Sequence, residues 1–462
     1  MARQRVSLET SALEPVDLDR LAGLQNFIGT DRLRQVLCDC GRRNRSHCRL
    51  THEVMLWVVL AMGILTDRPL REVFRLATRQ RRGHKLPCRS GLCQARQRLG
   101  VAPVRRLFEQ VVQPLARPDR PGGFYKGWRL VGIDGNVLDV PDSPVNARIF
   151  GRPASGRGDG AFPQVRKLAL VELGTHVELA FVLKPCVRSE NSMVPALLRH
   201  LHKDMLLLCD RNFFSYSLWQ QLLQRNVQIL FRLRSNLELR PTQHLADGSY
   251  LAKIYPSDNA RSHDRDGIVV RVIRYRLDDP QRVGHGEVHV LLTTLLDAET
   301  YPAVELILLY HERWEQELVI DEQQTHQAPR QAGKEAQLRS ETPAGVVQEV
   351  NALSLGHYVT RALMAEAAAQ VQLDPDRLSF INCLRILQVR LRECPSGSRT
   401  AWRSWYEDLL WEMSQEQLPP RRNRINPRVV KRKMSKFNKK RAHHRPVPAL
   451  KKRFVETIVL ET

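Results

Sequence analysis

ELILLYHERWEQELVIDEQQTHQ, residues Glu305 to Gln327, is the stretch on which the reading of this chain turns. Its periodicity predicts one helix. At roughly 100° per residue, Tyr310, Arg313, Glu317 and Gln324 fall at about 0°, 300°, 340° and 320°, and Asp321 joins them at about 20°. A helix that gathers a Tyr, an Arg and carboxylates into one stripe, with Leu306 and Leu318 beside them, presents polar groups from a half-buried surface. That is costly unless they bind something. The plain alternative is a solvated face with an intrahelical pair of Arg313 and Glu317. The rest of the chain weighs against it.

Lys and Arg number 72 against 49 Asp and Glu, a formal charge of +23 over 462 residues. The partner that suits such a chain is a polyanion, most commonly nucleic acid. A membrane is not expected as a partner. The longest apolar run, Val54 to Leu65, has 12 residues where a span needs roughly 20, so it is read as a buried core helix. The N-terminus has no apolar segment of signal-peptide type, and a cytoplasmic, nucleoid-associated protein is expected. Nine scattered cysteines do not form a disulfide framework in a chain of this length. Cys38, Cys40, His47 and Cys48 have no spacing that suits zinc.

Outward from the central stretch, the chain divides by texture. Residues 1–121 read as helices, with Thr51 capping the apolar one and Ser90 capping GLCQARQRLG. The short helices there make a helix-turn-helix whose Gln94, Arg96, Gln97 and Arg98 suit base edges and phosphates. Residues 122–233 carry strands at Trp128–Val140, Val165–Leu173, Val177–Leu183, Met205–Cys209 and Gln228–Leu233, with helical stretches at Ser192–His202 and Tyr216–Gln224. Residues 234–299 are a β-rich insertion, 300–372 return to the core, with Ala344–Gln370 backing the central helix, and 373–462 are helical with a basic tail. The fold class expected is α/β, in an α+β multidomain arrangement of a mixed sheet covered by helices. Between Arg421 and Arg445 the tail has twelve Lys or Arg and no acid, a composition drawn to phosphates. The glycine-rich run Gly151–Gly160 leads into Phe162-Pro163 and supports no nucleotide-binding loop.

Asp134 interrupts the apolar strand LVGIDGNVLDV, and Asp210 ends MLLLCD, a strand apolar enough to be internal. Carboxylates at the ends of such strands lie at the sheet edge where ligands bind. With Glu317 from a helix packed on that sheet, three acids converge. They would repel one another without cations, and hard oxygen ligands favour Mg²⁺, with Mn²⁺ as a substitute. Two such ions about 4 Å apart cleave phosphodiesters.

These residues resemble a family. Tyr310, Arg313 and Glu317 match the Tyr-x2-Arg-x3-Glu part of the signature helix of DDE transposases in the bacterial insertion sequence four family. The likeness extends to IDGNVLDVPDSPVNARIFGRP around Asp134, CDRNFFSYSLW around Asp210, SGLCQARQRLG, TPAGVVQEVNALSLGHYVTRALMAEA from Thr342, and RVVKRKMSKF in the tail. It implies an RNase H-like catalytic core in which Asp134, Asp210 and Glu317 are the catalytic, metal-binding triad, with Tyr310, Arg313 and Arg211 toward DNA phosphate. It also implies cut-and-paste transposition by a homodimer on paired ends, with double-stranded DNA as partner, both as terminal inverted repeats and as target. The chain departs from the pattern at Gln324, which stands where the family has Lys, and at Asn212, where relatives often have Gly. A DNA-binding remnant or an unrelated two-metal nuclease are the alternative readings.

Overall fold

The computed structural model describes residues 16–42, 48–79, 85–155, 158–233, 237, 239–280, 285–328, 338–419 and 452–461. His47 and the basic run 421–445 lie outside them.

The N-terminal part is helical: α1 (Ala22–Ile28), α2 (Thr30–Asp39), α3 (His52–Ile64), α4 (Leu70–Ala77), α5 (Arg89–Leu99) and α6 (Ala102–Val111). Thr51 caps α3 by accepting the Val54 N–H at 3.2 Å, and every residue of α3 from Val54 to Ile64 is buried. A helix apolar on all sides must be wrapped by others. No helix among the described residues is long and apolar enough to cross a membrane. The cap of α5 differs from expectation. Cys88 rather than Ser90 holds that position, its Sγ accepting from the Gly91 N–H at 3.3 Å.

The sheet follows. Its strands are β1 (Trp128–Asp139), β2 (Gln164–Glu172), β3 (Val177–Pro185), β4 (Met205–Cys209), β5 (Gln228–Leu233), β6 (Gln243–His244), β7 (Tyr250–Ile254), β8 (Ile268–Leu277) and β9 (His289–Thr293). Their order is β3-β2-β1-β4-β5-β9-β8-β7-β6. β1, β4 and β5 are parallel, while β2 and β3 form an antiparallel meander on one flank. Helix α7 (Tyr216–Leu223) makes the crossover from β4 to β5, as a parallel pair requires. This mixed sheet with helices is the α/β architecture expected. The β-rich insertion continues the core sheet itself, because β9 pairs with β5. The stretch Ser192–His202, expected to be a helix, forms two short 3₁₀ turns, Val194–Ala196 and Leu198–His200. Pro195 at the start removes an amide donor, and only one residue separates the turns.

The central stretch is not one helix. It comprises α8 (Ala303–His311), α9 (Trp314–Asp321) and a π-helical turn Glu322–Gln327. The break at Glu312-Arg313 lets α8 bury Leu306 and Ile307 under the sheet while α9 crosses β1. Downstream are α10 (Pro343–Gln370), α11 (Phe380–Arg390) and α12 (Arg399–Ser414). α10 does more than back the central helix. It packs on α3, α6, α11 and α12, so the N-terminal and C-terminal helices share one apolar core around it. At the α3–α10 crossing a Cβ on Gly63 would stand 1.8 Å from the Ala352 carbonyl oxygen, so only glycine permits this approach. The last described residues form β10 (Ile458–Leu460), which pairs with β8.

Candidate active site

Register brings the two aspartates together. β4 accompanies β1 from Arg129–Met205 to Gly132–Leu208. Two residues further along are Asp134, within β1 where its pairing with β4 has ended, and Asp210, just past the end of β4, so the two stand at matching register on adjacent parallel strands about 4.8 Å apart. Each is oriented by its own backbone. Asp134 Oδ1 accepts from the Gly135 N–H at 2.8 Å, and Asp210 Oδ1 accepts from the Arg211 N–H at 2.7 Å as the cap of a 3₁₀ turn.

The third acid arrives on α9. Gln316 is fully buried against β1, where a Cβ on Gly132 would stand 1.4 Å from its Nε2. A glycine two residues before Asp134 therefore sets how closely α9 lies on the strand, and the next residue of α9 is Glu317. Tyr310, buried at the end of α8, donates its O–H to the Cys209 carbonyl at 3.2 Å, fixing the helix to the strand that ends at Asp210.

Arg313 is the cation among these acids. Its Nη2 lies 3.7 Å from Glu317 Oε1, its guanidinium stands 5.8 Å from the Tyr310 ring centroid, and its side chain is 13% exposed. Burial opposes its charge, but Tyr310 and the carboxylates of Asp210, Asp134 and Glu317 outweigh burial and raise its pKa. Among the described residues its Nε is buried with no hydrogen-bond partner. Asp134 is less well served. Burial, aided by the carboxylates of Glu190 and Glu317 and opposed by the Gly135 N–H and Arg313, pushes its pKa up to about 6.

Three of the groups that act on Arg313, Asp210, Asp134 and Glu317, are carboxylates, the donor type that suits a hard divalent cation. Asp134, short of positive charge in a buried setting, is the group such a cation would relieve. As placed, no three His, Cys, Asp or Glu side chains among the described residues are close enough to grip an ion, Cys38, Cys40 and Cys48 included. Arg313 is a positive charge that Asp134, Asp210 and Glu317 have in common.

Other residues singled out in the sequence divide. Arg211 is exposed beside Asp210, and Gln324 Nε2 donates to the Val137 carbonyl of β1 at 3.0 Å, at the same edge. Asp321 is exposed and faces His326 Nε2 at 3.3 Å. Arg98, with Gln94 and Gln97, is exposed on α5. Arg96, expected to meet phosphate, is turned inward. Its guanidinium donates to Gln348 Oε1 at 2.8 Å, Ser340 Oγ at 3.0 Å and the Gly345 carbonyl at 2.6 Å, tying α5 to α10. On α5, Arg96 is the neighbour of Ala95 and shares the side of Leu92 and Leu99, which face the core. Sequence reasoning missed Gln316, Gly132 and Glu190. The pair of Gly132 and Gln316 had no local signal, since each makes sense only against the other.

Acids at the carboxyl edge of parallel strands and on a helix laid across them, in a strongly basic chain, belong to enzymes of phosphodiester chemistry. Comparison with known proteins narrows the class. Residues 18–109 match the family described as insertion element 4 transposase N-terminal, and residues 129–327 match the transposase DDE domain. The chain is 28% identical over 423 residues to the Escherichia coli (strain K12) transposase InsG for insertion sequence element IS4, covering 90% of this chain and 93% of that protein. A second E. coli (strain K12) transposase relative, InsZ, is 32% identical over 178 residues, 38% of this chain and 59% of the relative. A piggyBac transposase in a synaptic complex with hairpin DNA aligns over 85% of both chains at 12% identity and a TM-score of 0.43. The chain belongs to the DDE transposases of the insertion sequence four family. It is an insertion-sequence transposase, an enzyme that cleaves and joins DNA with divalent metal ions.

Proposed function

We propose that the chain carries out cut-and-paste transposition with Asp134, Asp210 and Glu317 as its catalytic triad. The observation that carries this reading is the convergence of β1, β4 and α9 on Arg313, with Asp134 left short of positive charge. Mg²⁺ held by the three carboxylates, with Mn²⁺ able to replace it, would supply activation of water or a hydroxyl and stabilise the leaving oxygen. The chain's own side chains do the rest. Arg313, whose Nε has no partner among the described residues, turns from Glu317 to a phosphate oxygen when DNA arrives. Tyr310, by its bond to the Cys209 carbonyl, keeps Arg313 beside the strand end. Arg211 and Gln324 flank the scissile strand as polar contacts, Gln324 without the charge a lysine would bring. Arg98 meets DNA from the helical body. The first reaction is hydrolysis at the element's terminal inverted repeats. The second is attack of the freed 3′-hydroxyl on target DNA. Two copies act on paired ends, in the cytoplasm at the nucleoid.

The test is cleavage of the element's own ends by purified protein with Mg²⁺ or Mn²⁺, followed by a joining assay. Nicking at the ends and strand-transfer products, both lost in Glu317→Gln, are expected. No cleavage with either ion overturns the reading, and cleavage without joined products would leave a nuclease.

A further inference from the structure

Exposed apolar side chains gather on one surface beyond Asp134. β1 runs on past that residue to Asp139, and the chain then turns through the short helix Pro144–Phe150. The helix is firmly mounted. Asn146 and Phe150 are buried, Asn146 Nδ2 donates to the carbonyls of Pro141 and Ser340, each at 3.1 Å, and Ser143 Oγ donates to the Glu341 carbonyl at 2.6 Å. Its other side carries Val145 and Ile149, one turn apart and 43% and 47% exposed. Gly151, which ends the helix, joins two more such residues to them. Val187 of the β3–β4 loop is 73% exposed, and a Cβ on Gly151 would stand 3.7 Å from its Cγ1. Phe162, 39% exposed, is held in the return to β2. It lies between Ala161, whose carbonyl accepts from Arg152 Nη1 at 2.6 Å, and Gln164, whose N–H donates to the Gly151 carbonyl at 3.0 Å.

Single exposed apolar residues are ordinary, but several around one turn on a rigid mount mark an interaction surface. Its rim is cationic. Arg148, Lys184 and Arg188 are exposed and form no ion pair among the described residues. Asp142 and Glu190, the acids flanking these segments, are held by Arg152 and Arg166. A second copy of this chain docking face to face would set the cations against their own counterparts, and like charges repel. DNA matches both features. Its phosphates suit the rim, and aliphatic and aromatic side chains suit base faces, which a duplex exposes only where a base step is opened.

We propose that this surface is a wedge for the reacting DNA, entering the minor groove and opening one base step, with Arg148, Lys184 and Arg188 on the flanking phosphates. Its distance from the chemistry follows from register. Asp134 pairs with Ala169 and Asp139 with Gln164, five residues along, which is roughly 17 Å of strand. DNA rises about 3.4 Å per step, so the opened step lies about five nucleotides from the scissile phosphate. The wedge rests on the reading of Asp134 as part of the cleavage site, which sets where that phosphate lies.

The experiment uses full-length Glu317→Gln, to hold the DNA uncut, and duplexes of the element's terminal repeat with 2-aminopurine at successive positions over roughly the first ten nucleotides from the cleavage point. Binding is followed by anisotropy, and base opening by 2-aminopurine fluorescence, which rises when the base loses its stack. A rise confined to about the fifth nucleotide is expected. Phe162→Ala combined with Val187→Ser should abolish the rise and weaken binding about tenfold, with the thermal midpoint unchanged because both side chains are exposed. Arg188→Ala should keep the rise and reduce the salt slope of binding by about 1. Ends that bind with no rise, or a rise that survives the double substitution, overturn the wedge and leave the cleavage site standing. Self-association of the DNA-free protein that is lost in Val187→Ser overturns it in favour of a contact between copies. Failure of the ends to bind at all overturns the wedge together with the reading on which it rests.

Discussion

Glu317 and Glu322 are five residues apart on one helical run, and their surroundings are opposite. Glu322 is in the interior, where Arg361 donates to both its oxygens, His176 Nδ1 lies 3.0 Å from Oε1 and His357 Nε2 lies 2.9 Å from Oε2. Burial alone would raise its pKa, yet Arg361 and His176 hold the carboxyl well below the usual range. At the sheet edge, Glu317, Asp134 and Asp210 all act on Arg313, and the pKa of Asp134 is pushed up to about 6. The interior acid has been answered by the protein. At the edge, burial raises the pKa of the Asp134 carboxyl with only partial relief from Arg313 and the Gly135 N–H.

The contrast can be broken most sharply with a matched pair of substitutions. Glu317→Gln should lower metal-dependent cleavage by on the order of a thousandfold or more, with the melting curve nearly unchanged. Glu322→Gln should do the reverse first. It leaves Arg361 buried against two histidines without a counter-charge, at about 3–5 kcal/mol of stability read by denaturant unfolding. If Glu322→Gln is as stable as wild type, the interior network is not what holds the π-helical turn.

Acid and base titration should separate the two regions by sign. The folded pKa of Glu322 is depressed, so its contribution is present above the unfolded carboxylate value of about 4.3 and is lost as pH falls below that. The folded pKa of Asp134 is raised, so its contribution is present below about 3.9 and is lost as pH rises through about 6, at most about 3 kcal/mol. Adding Mn²⁺ should therefore raise the thermal midpoint more at pH 7.5 than at pH 5, where Asp134 keeps its proton. Equal ion-induced shifts at both pH values would remove Asp134 from the ion's ligands.

Smaller effects sharpen the same distinction on α5. Arg96→Ala should cost about 2 kcal/mol through the bonds it makes to α10, with no change in the salt dependence of DNA binding. Arg98→Ala should leave stability within about 0.5 kcal/mol and reduce the salt slope of binding by about 1. Asp321→Ala should change stability by less than about 0.5 kcal/mol and leave cleavage alone, since its neighbour is a half-exposed histidine.

Much of the sheet was legible because its strands are apolar runs bounded by Gly, Pro and Asp. Met205–Cys209 and Gln228–Leu233 are found where their composition placed them. The helix of the central stretch was legible in kind but not in continuity. Its apolar and polar spacing is unbroken through Glu312 and Arg313, and what breaks it is packing, with α8 under the sheet and α9 across β1. Arg96 illustrates the same limit. A wheel shows which side a residue shares, but not that a helix about 250 residues away and the segment before it carry Gln348 and Ser340 to meet it.

By itself the sequence determined the class of chemistry, because the type and order of residues suffice for it. A strongly basic chain, single carboxylates ending apolar strands and the Tyr-Arg-Glu spacing are local properties of the polypeptide. Only the tertiary structure decided which acids face one another and with how much compensating charge. That depends on strand register, on glycines that let Gln316 and Glu190 approach β1, and on distances between side chains far apart in the chain, along which Coulomb energy and desolvation vary too steeply for any one-dimensional pattern to convey.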